Sequence, residues 1–569
     1  MLQGIAVSQG IGLGRVMLLE EHSLAFDFSR SGGAQAERQR VHLAAESFRT
    51  HTARQVEQLR MCAGYEDSLI LESHIDMACD PDLMDQVDRL IDEGACAEQA
   101  VQEACDGYIE IFSQSHDELT RLRAEDLRDV RSALLSILLG VEKPGLCQAP
   151  RGTVLVAKEL SPSVMSGIDK ENIVGIITET GGMVSHSSIL ARALGIPTVC
   201  GVAGAAAKLQ KNSFVIVDGT RGEVICSPAA NVIADYNQRR EAFMAQRSRM
   251  KYFINRKTLS ASGEEYSLAC NITMPGGAAR AAAVGADGVG LFRTEYLFMN
   301  RQTPPDEEEQ FAAYTQALEG AEGRPVTIRT LDVGGDKNTP CLALPQEENP
   351  FLGLRGIRWC LANPEVFSVQ LRALLRAGAE GSLRVMLPMV SALAELRQTK
   401  ELLAKAAAQL TAQGVPHRAE LPLGVMIETP AAALMADQLA QEADFFSIGT
   451  NDLTSYIMAC DRGNPQVAEL YHPLQPPLLR SLQHIIRCAR QAGIPVTVCG
   501  EAAADHRMLP LLMAFGATGF SVPAGELLEL RHVLSHWTLK DAQQLARQAL
   551  DMDSPQQVEA LLTEYQEEE

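Results

Sequence analysis

Eight short apolar runs in the second half of the chain constrain its fold more than any other feature. They are Ser267–Ile272, Gly288–Phe292, Val326–Leu331, Val385–Pro388, Leu423–Ile427, Phe445–Gly449, Val496–Cys499 and Gly519–Ser521. Apolar residues at helical spacing lie between several of them, as around Arg372–Ala377 and Leu393–Gln409. Short strands alternating with helices pair in parallel, because a crossover must return the chain to the same end of the sheet. Eight such strands in the roughly 300 residues from 260 onward match a (β/α)8 barrel. An open doubly wound sheet is the structural rival, and the strand count favours the barrel.

A barrel places its active site at the C-terminal ends of its strands, and the polar residues stand there. Arg293 follows the second run, Arg329 and Asp332 the third, Glu428 the fifth, Asn451 and Asp452 the sixth, and Cys499-Gly500-Glu501 the seventh. Two arginines at such a mouth can grip a phosphate or a carboxylate in bidentate fashion. Two carboxylates on adjacent strands, Glu428 and Asp452, suit Mg²⁺, which takes a few carboxylates plus substrate oxygens. Arginine–carboxylate pairs that merely satisfy one another are the alternative.

The first half is organised differently. Residues 1–20 carry glycines among apolar residues and read as one or two short strands. From Ala34 to Leu139 the spacing is helical: Val41, Ala44, Ala45 and Phe48 recur on one face, as do Val87, Leu90 and Ile91, and Leu134, Leu135 and Leu138. Turns at Gly64, Asp80-Pro81 and Gly94 divide this stretch into a bundle of four or so helices. Strands return after Pro150, at Val154–Val156, Ile173–Thr178, Pro197–Cys200 and Phe214–Val217, with a turn at Asp218–Gly222 before Val224-Ile225. The bundle thus interrupts a small α/β domain. The polar, glycine-free segment from Ala229 to about Arg256 reads as a connecting helix.

Within that α/β domain lies Gly181-Gly182-Met183-Val184-Ser185-His186-Ser187-Ser188-Ile189-Leu190-Ala191-Arg192. Ile189, Leu190 and Ala193 recur at helical spacing until Gly195, so His186 stands between a glycine turn and a helix start. Unpaired N–H groups at a helix start favour an anion. This histidine is either one that becomes phosphorylated or one that only caps its helix.

Composition narrows the function classes. A chain of 569 residues is long enough for two or three domains, and no apolar run approaches the roughly 18 residues of a membrane span. Thirteen cysteines without a CxxC pair fit a reducing, cytoplasmic compartment better than disulfides or a zinc site. A net charge of −22 speaks against nucleic acid or an anionic membrane and permits a basic protein partner.

Across essentially its whole length the sequence resembles enzyme I of the bacterial phosphoenolpyruvate-dependent sugar phosphotransferase system. The resemblance rests on Gly4–Gly10, the GGxxSHSSIxAR loop, GVGLFRTEYLFMNR (288–301), RTLDVGGDK (329–337), EENPFLGLRGIR (347–358), GVMIETPAA (424–432), DFFSIGTNDLTSY (444–456), DRGN (461–464) and CGEAAAD (499–505). It implies a phosphohistidine α/β domain over 1–24 and 145–228 and a helical carrier-binding insert over 25–144. A linker helix over 229–259 and a phosphoenolpyruvate-binding (β/α)8 barrel that dimerises, over 260–569, complete the implied organisation. His186 would accept the phosphoryl group. Arg293, Arg329, Arg355, Asn451 and Arg462 would hold the substrate, with Lys337 adding positive charge nearby. Glu428 and Asp452 would ligate Mg²⁺, and Cys499 would protonate enolpyruvate to give pyruvate.

The implied partner is a small histidine phosphocarrier protein, HPr or a paralogue. It would dock on an insert that is acidic at Glu66, Asp67, Glu72, Asp80, Asp82 and Asp85. Three departures stand out. Met183-Val184 replaces the Arg-Thr common beside the nucleophile, Met165 stands where relatives often place a hydroxyl residue, and Ser455 replaces a common glutamine. A non-catalytic phosphorylation sensor and a dikinase-like enzyme are the competing classes. The first has no need of the complete barrel set, and the second adds a large ATP-binding domain for which the first 150 residues are too short and too helical.

Overall fold

A computed structural model describes residues 1–19, 33–62, 65–113, 118–141, 149–160, 164–165, 168–169, 171–181, 186–254, 256–299, 301–334, 339–342, 344, 347–461, 464 and 466–567. The chain divides into two compact units, residues 1–246 and 247–569.

The first unit is built on one eight-stranded sheet. Its strands are β1 (Leu2–Gln3), β2 (Ile5–Ser8), β3 (Ile11–Leu18), β4 (Thr153–Ala157), β5 (Ile173–Thr178), β6 (Thr198–Cys200), β7 (Phe214–Asp218) and β8 (Glu223–Cys226), in the order β1-β8-β7-β3-β4-β5-β6-β2. The opening residues therefore form three strands, one more than the sequence suggested. The run β3-β4-β5-β6 is parallel and the flanking pairs are antiparallel. Gly12 lets β3 lie close to β5, two strands away in this order, because a Cβ on Gly12 would stand 2.1 Å from the carbonyl oxygen of Val174. The β7–β8 turn is fixed by Asp218, whose Oδ1 accepts the N–H groups of Thr220 and Arg221 at 3.1 and 3.0 Å.

Five helices fill the connection from β3 to β4: α1 (Ala34–Cys62), α2 (Tyr65–Ala78), α3 (Pro81–Glu93), α4 (Ala97–Ser113) and α5 (Glu118–Leu138). The boundaries of α3 follow from its sequence. Asp80 Oδ1 accepts the N–H groups of Asp82 and Leu83 at 3.0 Å, Pro81 opens the helix, and Gly94 at φ 123° closes it. Leu83, Val87 and Ile91 form its buried stripe, each contributing about 1.5–3 kcal/mol by leaving water. The fully buried His74 joins α2 to α5, its Nε2 at 3.3 Å from Asp126 and its Nδ1 at 3.6 Å from Asp129.

In the second unit, β10 (Glu265–Ile272), β11 (Val289–Arg293), β12 (Val326–Arg329), β13 (Leu383–Leu387), β14 (Leu423–Ile427), β15 (Phe446–Gly449), β16 (Val496–Cys499) and β17 (Gly519–Val522) are all parallel. The pairing of β17 with β10 closes them into the expected barrel. Alternate residues along each strand face inward. Leu291, Met386, Met426, Phe445 and Cys499 form a small apolar cluster of their own. The other strand residues, among them Leu268, Val385, Val425 and Phe520, join the large core under the helices.

Ahead of the barrel the helix Ala230–Met250 ends before Arg256, where its polar pattern stops. A 3₁₀ turn at Lys251–Phe253 follows, and the short strand β9 (Thr258–Leu259) pairs antiparallel with β10. Arg531 explains the change. Its buried guanidinium donates to the carbonyls of Phe253, Ile254 and Gly285 and to Thr258 Oγ1, claiming carbonyls that a longer helix would use.

Candidate active site

The C-terminal ends of the barrel strands carry most of the residues singled out in the sequence. Arg293 ends β11, Arg329 ends β12, Glu428 follows β14, and Cys499 ends β16. Asn451 and Asp452 open the helix Thr450–Met458 directly after β15. Arg355 joins them from the loop between β12 and β13. The side chain of His186 and residues Lys337 and Arg462 lie outside the described residues. The backbone of His186 begins α6 (His186–Leu194), at the helix start expected, and Gly195 follows at φ 68°.

Charge is concentrated and buried here. Arg329 Nη2 donates to Glu295 Oε1 at 2.6 Å, and its Nη1 lies 3.0 Å from Asp332 Oδ2. Arg355 Nη2 donates to the same Asp332 oxygen at 3.1 Å and lies 3.5 Å from Asp452. Burial opposes both guanidinium charges, but the surrounding carboxylates outweigh it and hold both pKa values above the ordinary arginine range. Mutual arginine–carboxylate pairing, the alternative open from sequence, is therefore real, yet it does not exhaust the donors. Among the described residues, Arg329 Nε and Arg355 Nε are buried without a hydrogen-bond partner. Arg293, half-buried, has no side-chain hydrogen bond or ion pair among the described residues. Buried unsatisfied N–H groups cost about 1–3 kcal/mol each, and an oxyanion would relieve them.

Glu428 is the most constrained acid. Its side chain is 2% exposed, and Oε1 accepts the Met389 N–H at 2.6 Å. Met389 presents that N–H from a left-handed conformation, φ 55°, which costs a non-glycine residue free energy. Opposite, Gly449 leaves the room that the carboxylate occupies, since a Cβ there would stand 2.7 Å from Glu428 Oε2. Burial first, then the charges of Asp452 and Asp332, push the Glu428 pKa up. A carboxylate crowded by carboxylates is what a divalent cation would stabilise, so the donor set fits Mg²⁺.

Cys499 lies at the floor of this site, 2% exposed. Its Sγ donates to Ile448 O at 3.2 Å and accepts from Ser447 Oγ at 3.4 Å. Burial raises its pKa to about 11 against the pull of the Ser447 hydrogen bond, so it is a protonated thiol at neutral pH. Asn451 is held by Glu501 at both ends of its amide: Nδ2 donates to Oε1 at 3.2 Å and Oδ1 accepts the Glu501 N–H at 2.9 Å.

Sequence reasoning did not single out Glu295, Tyr456 or the strained Met389. Glu295 stands two residues past Arg293, where strand alternation would have flagged it. Tyr456 OH, which accepts from Arg355 at 3.4 Å, is one helical turn from Asp452. Met165, noted as a departure, is buried in the apolar core beside Leu190 and offers α6 packing rather than a hydroxyl.

The pairing makes one stability prediction. Arg329→Met leaves Glu295 and Asp332 buried without their main counter-charge, and is expected to cost about 3–5 kcal/mol in urea unfolding. A loss below about 1 kcal/mol would show that Arg355 alone balances these acids.

Comparison with known proteins agrees with this geometry. Three family models match in succession: the N-terminal domain of PEP-utilising enzymes over residues 3–123, their mobile domain over 149–222 and their PEP-binding domain over 247–539. A phosphoenolpyruvate-protein phosphotransferase of Listeria innocua is 40% identical over 565 residues, covering 99% of both chains. Proteins of that name from Bacillus subtilis and Lactococcus lactis are 37% and 38% identical, again over 99% of both chains. With the barrel, its arginine–carboxylate mouth and these full-length matches, the chain belongs to the phosphoenolpyruvate–protein phosphotransferases, enzyme I of the sugar phosphotransferase system.

Proposed function

We propose that this enzyme moves the phosphoryl group of phosphoenolpyruvate onto His186, releases pyruvate, and passes the phosphate to a histidine of a small phosphocarrier protein, HPr or a paralogue. The observation that carries this reading is the set of uncommitted donors, Arg293, Arg329 Nε and Arg355 Nε, above a protonated Cys499. Those donors, with Asn451, bind the phosphate and carboxylate of the substrate. Arg462 and Lys337 join them on the strength of the family motifs. Glu428 and Asp452 hold Mg²⁺, which when bound adds positive charge where the transferring phosphoryl group needs it.

In the transfer, the bond from phosphorus to the enol oxygen breaks as a bond from phosphorus to an imidazole nitrogen of His186 forms. The electron pair passes through the enolate to C3, which takes the proton of the Cys499 thiol and completes the pyruvate methyl. Neutral imidazole is well populated near pH 7. His186 belongs to one unit and the substrate site to the other, so loading and unloading require them to meet and separate.

The carrier is expected to be basic where it docks, because Asp80, Asp82 and Asp85 are exposed on and before α3. A second copy joins through the barrel, where Phe351, Leu352, Leu434 and Leu470 offer exposed apolar surface. No described helix is long and apolar enough to cross a membrane, and eleven described cysteines are free. Both support a cytoplasmic setting.

Incubation with labelled phosphoenolpyruvate and Mg²⁺ tests the reading. Stoichiometric label that is lost in acid and kept in base is expected, with an equal yield of pyruvate. Base-labile label, or pyruvate without label, would sink it.

A further inference from the structure

At the amino-terminal end of the barrel, opposite the substrate site, a small cavity of about 40 Å³, open to solvent, enters between the strands. Its wall carries the hydroxyl residues Ser267, Thr327, Ser447 and Thr497, with Asp287 and Arg384. Asp287 is exposed, so the cavity meets bulk water, and its Oδ2 accepts the Leu268 N–H at 2.8 Å. The Arg384 guanidinium stands 6.0 Å from the centre of the Phe445 ring. A polar, open cavity of this kind admits water. Above it, the cluster of Leu291, Met386, Met426, Phe445 and Cys499 separates the cavity from the substrate site. One hydroxyl bridges the two regions: Ser447 lines the cavity and donates its O–H to Cys499 Sγ at 3.4 Å.

We propose that Ser447 connects Cys499 to water at the far end of the barrel and returns a proton to the sulfur after each turnover. The inference rests on Cys499 being the acid that protonates enolpyruvate. Once the thiol has given its proton to C3, the thiolate must be reprotonated before it can act again. Ser447 gives its O–H proton to the sulfur while its oxygen takes a proton from cavity water, which draws one from bulk solvent. The serine ends unchanged, and the proton in the pyruvate methyl comes from solvent. The direction of the hydrogen bond supports this, since the hydroxyl donates to sulfur while the thiol donates to Ile448 O. Ser447 thus acts through Cys499 and touches no substrate atom.

Exchange of labelled pyruvate into phosphoenolpyruvate, run on the full chain with Mg²⁺ in D₂O, separates the possibilities. In the wild type the deuterium entering the methyl group should keep pace with carbon exchange. In Ser447→Ala the thiolate recovers its proton chiefly from the next pyruvate. The ratio of deuterium to carbon exchange is then expected to fall about 10²-fold, the low end of what a positioned proton donor contributes. Ser447→Thr, which keeps the hydroxyl, should restore the ratio, whereas a packing effect would not follow the hydroxyl. Thr497→Val removes a hydroxyl from the cavity wall without touching Cys499, and should lower the ratio even if Ser447→Ala exchanges too little carbon to measure. Unchanged ratios in Ser447→Ala and Thr497→Val overturn the relay. Carbon and deuterium exchange both surviving in Cys499→Ala would instead overturn the role of Cys499 itself.

Discussion

Replacing His186 with alanine is expected to abolish stable labelling by phosphoenolpyruvate, a loss of at least about 10³-fold if His186 is the proposed nucleophile. The substitution should spare the fold. Helix α6 is anchored by Leu190 and Ala191, both buried in the apolar core with Ile173 and Ile176 of β5. Alanine at its first residue favours the helix more than histidine does. The neighbouring serines are poor substitutes as nucleophiles. Ser188 is fully buried with its Oγ 3.6 Å from Cys200 Sγ, and a serine hydroxyl needs a base to attack phosphorus. The variant should retain the wild-type circular dichroism and melting temperature and bind phosphoenolpyruvate normally, because the barrel residues are untouched. Normal labelling of this variant would remove His186 as the acceptor. Normal binding with no labelling places the defect at transfer.

How much of this was legible in the sequence depends on whether a feature is periodic, local or assembled. The eight barrel strands were legible because each is a short apolar run bounded by turn residues, and Leu423–Ile427 and Val496–Cys499 were placed to the residue. The start of α6 was legible because the helical spacing of Ile189, Leu190 and Ala193 follows a glycine turn and ends at Gly195, which leaves His186 at the helix start. Strand-end position likewise brought Arg329, Glu428, Asp452 and Cys499 to one mouth. Contacts made across the barrel were not legible. Nothing local to Met389 says that it adopts φ 55° to present an N–H to Glu428, which is 39 residues away. The end of the helix Ala230–Met250 depends on Arg531, about 280 residues downstream in the chain. The short strand β9 escaped because two residues carry no period, and its pairing with β10 is a tertiary fact. Ser447 read as an ordinary strand residue, and only the barrel brings its hydroxyl to Cys499.

Glu428→Gln and Asp452→Asn are each expected to cut labelling by about 10²–10³-fold, and their unfolding should show whether the loss is that of a metal ligand. In the metal-free protein Glu428 holds its proton more tightly folded than unfolded, because burial and the neighbouring Asp452 and Asp332 disfavour its charge. Its stabilising contribution is therefore fully present below the ordinary glutamate pKa and is lost as pH rises through the higher folded value. Metal-free wild-type protein should thus lose stability relative to Glu428→Gln as pH rises from about 5 to 8, since the amide stays neutral throughout. Asp452→Asn removes one of the charges pressing on Glu428 and should flatten that slope in part. Added Mg²⁺ reverses the trend in the wild type alone. It takes the place of the proton, so its stabilisation should grow with pH and reach about 2.7 kcal/mol at a hundredfold excess over its dissociation constant. In Glu428→Gln, where one ligand charge is gone, Mg²⁺ at the same concentration should shift the melting temperature little at any pH. Equal Mg²⁺-induced shifts in the wild type and both variants would mean that the ion binds elsewhere. The acidic mouth would then serve only to hold Arg329 and Arg355 in place.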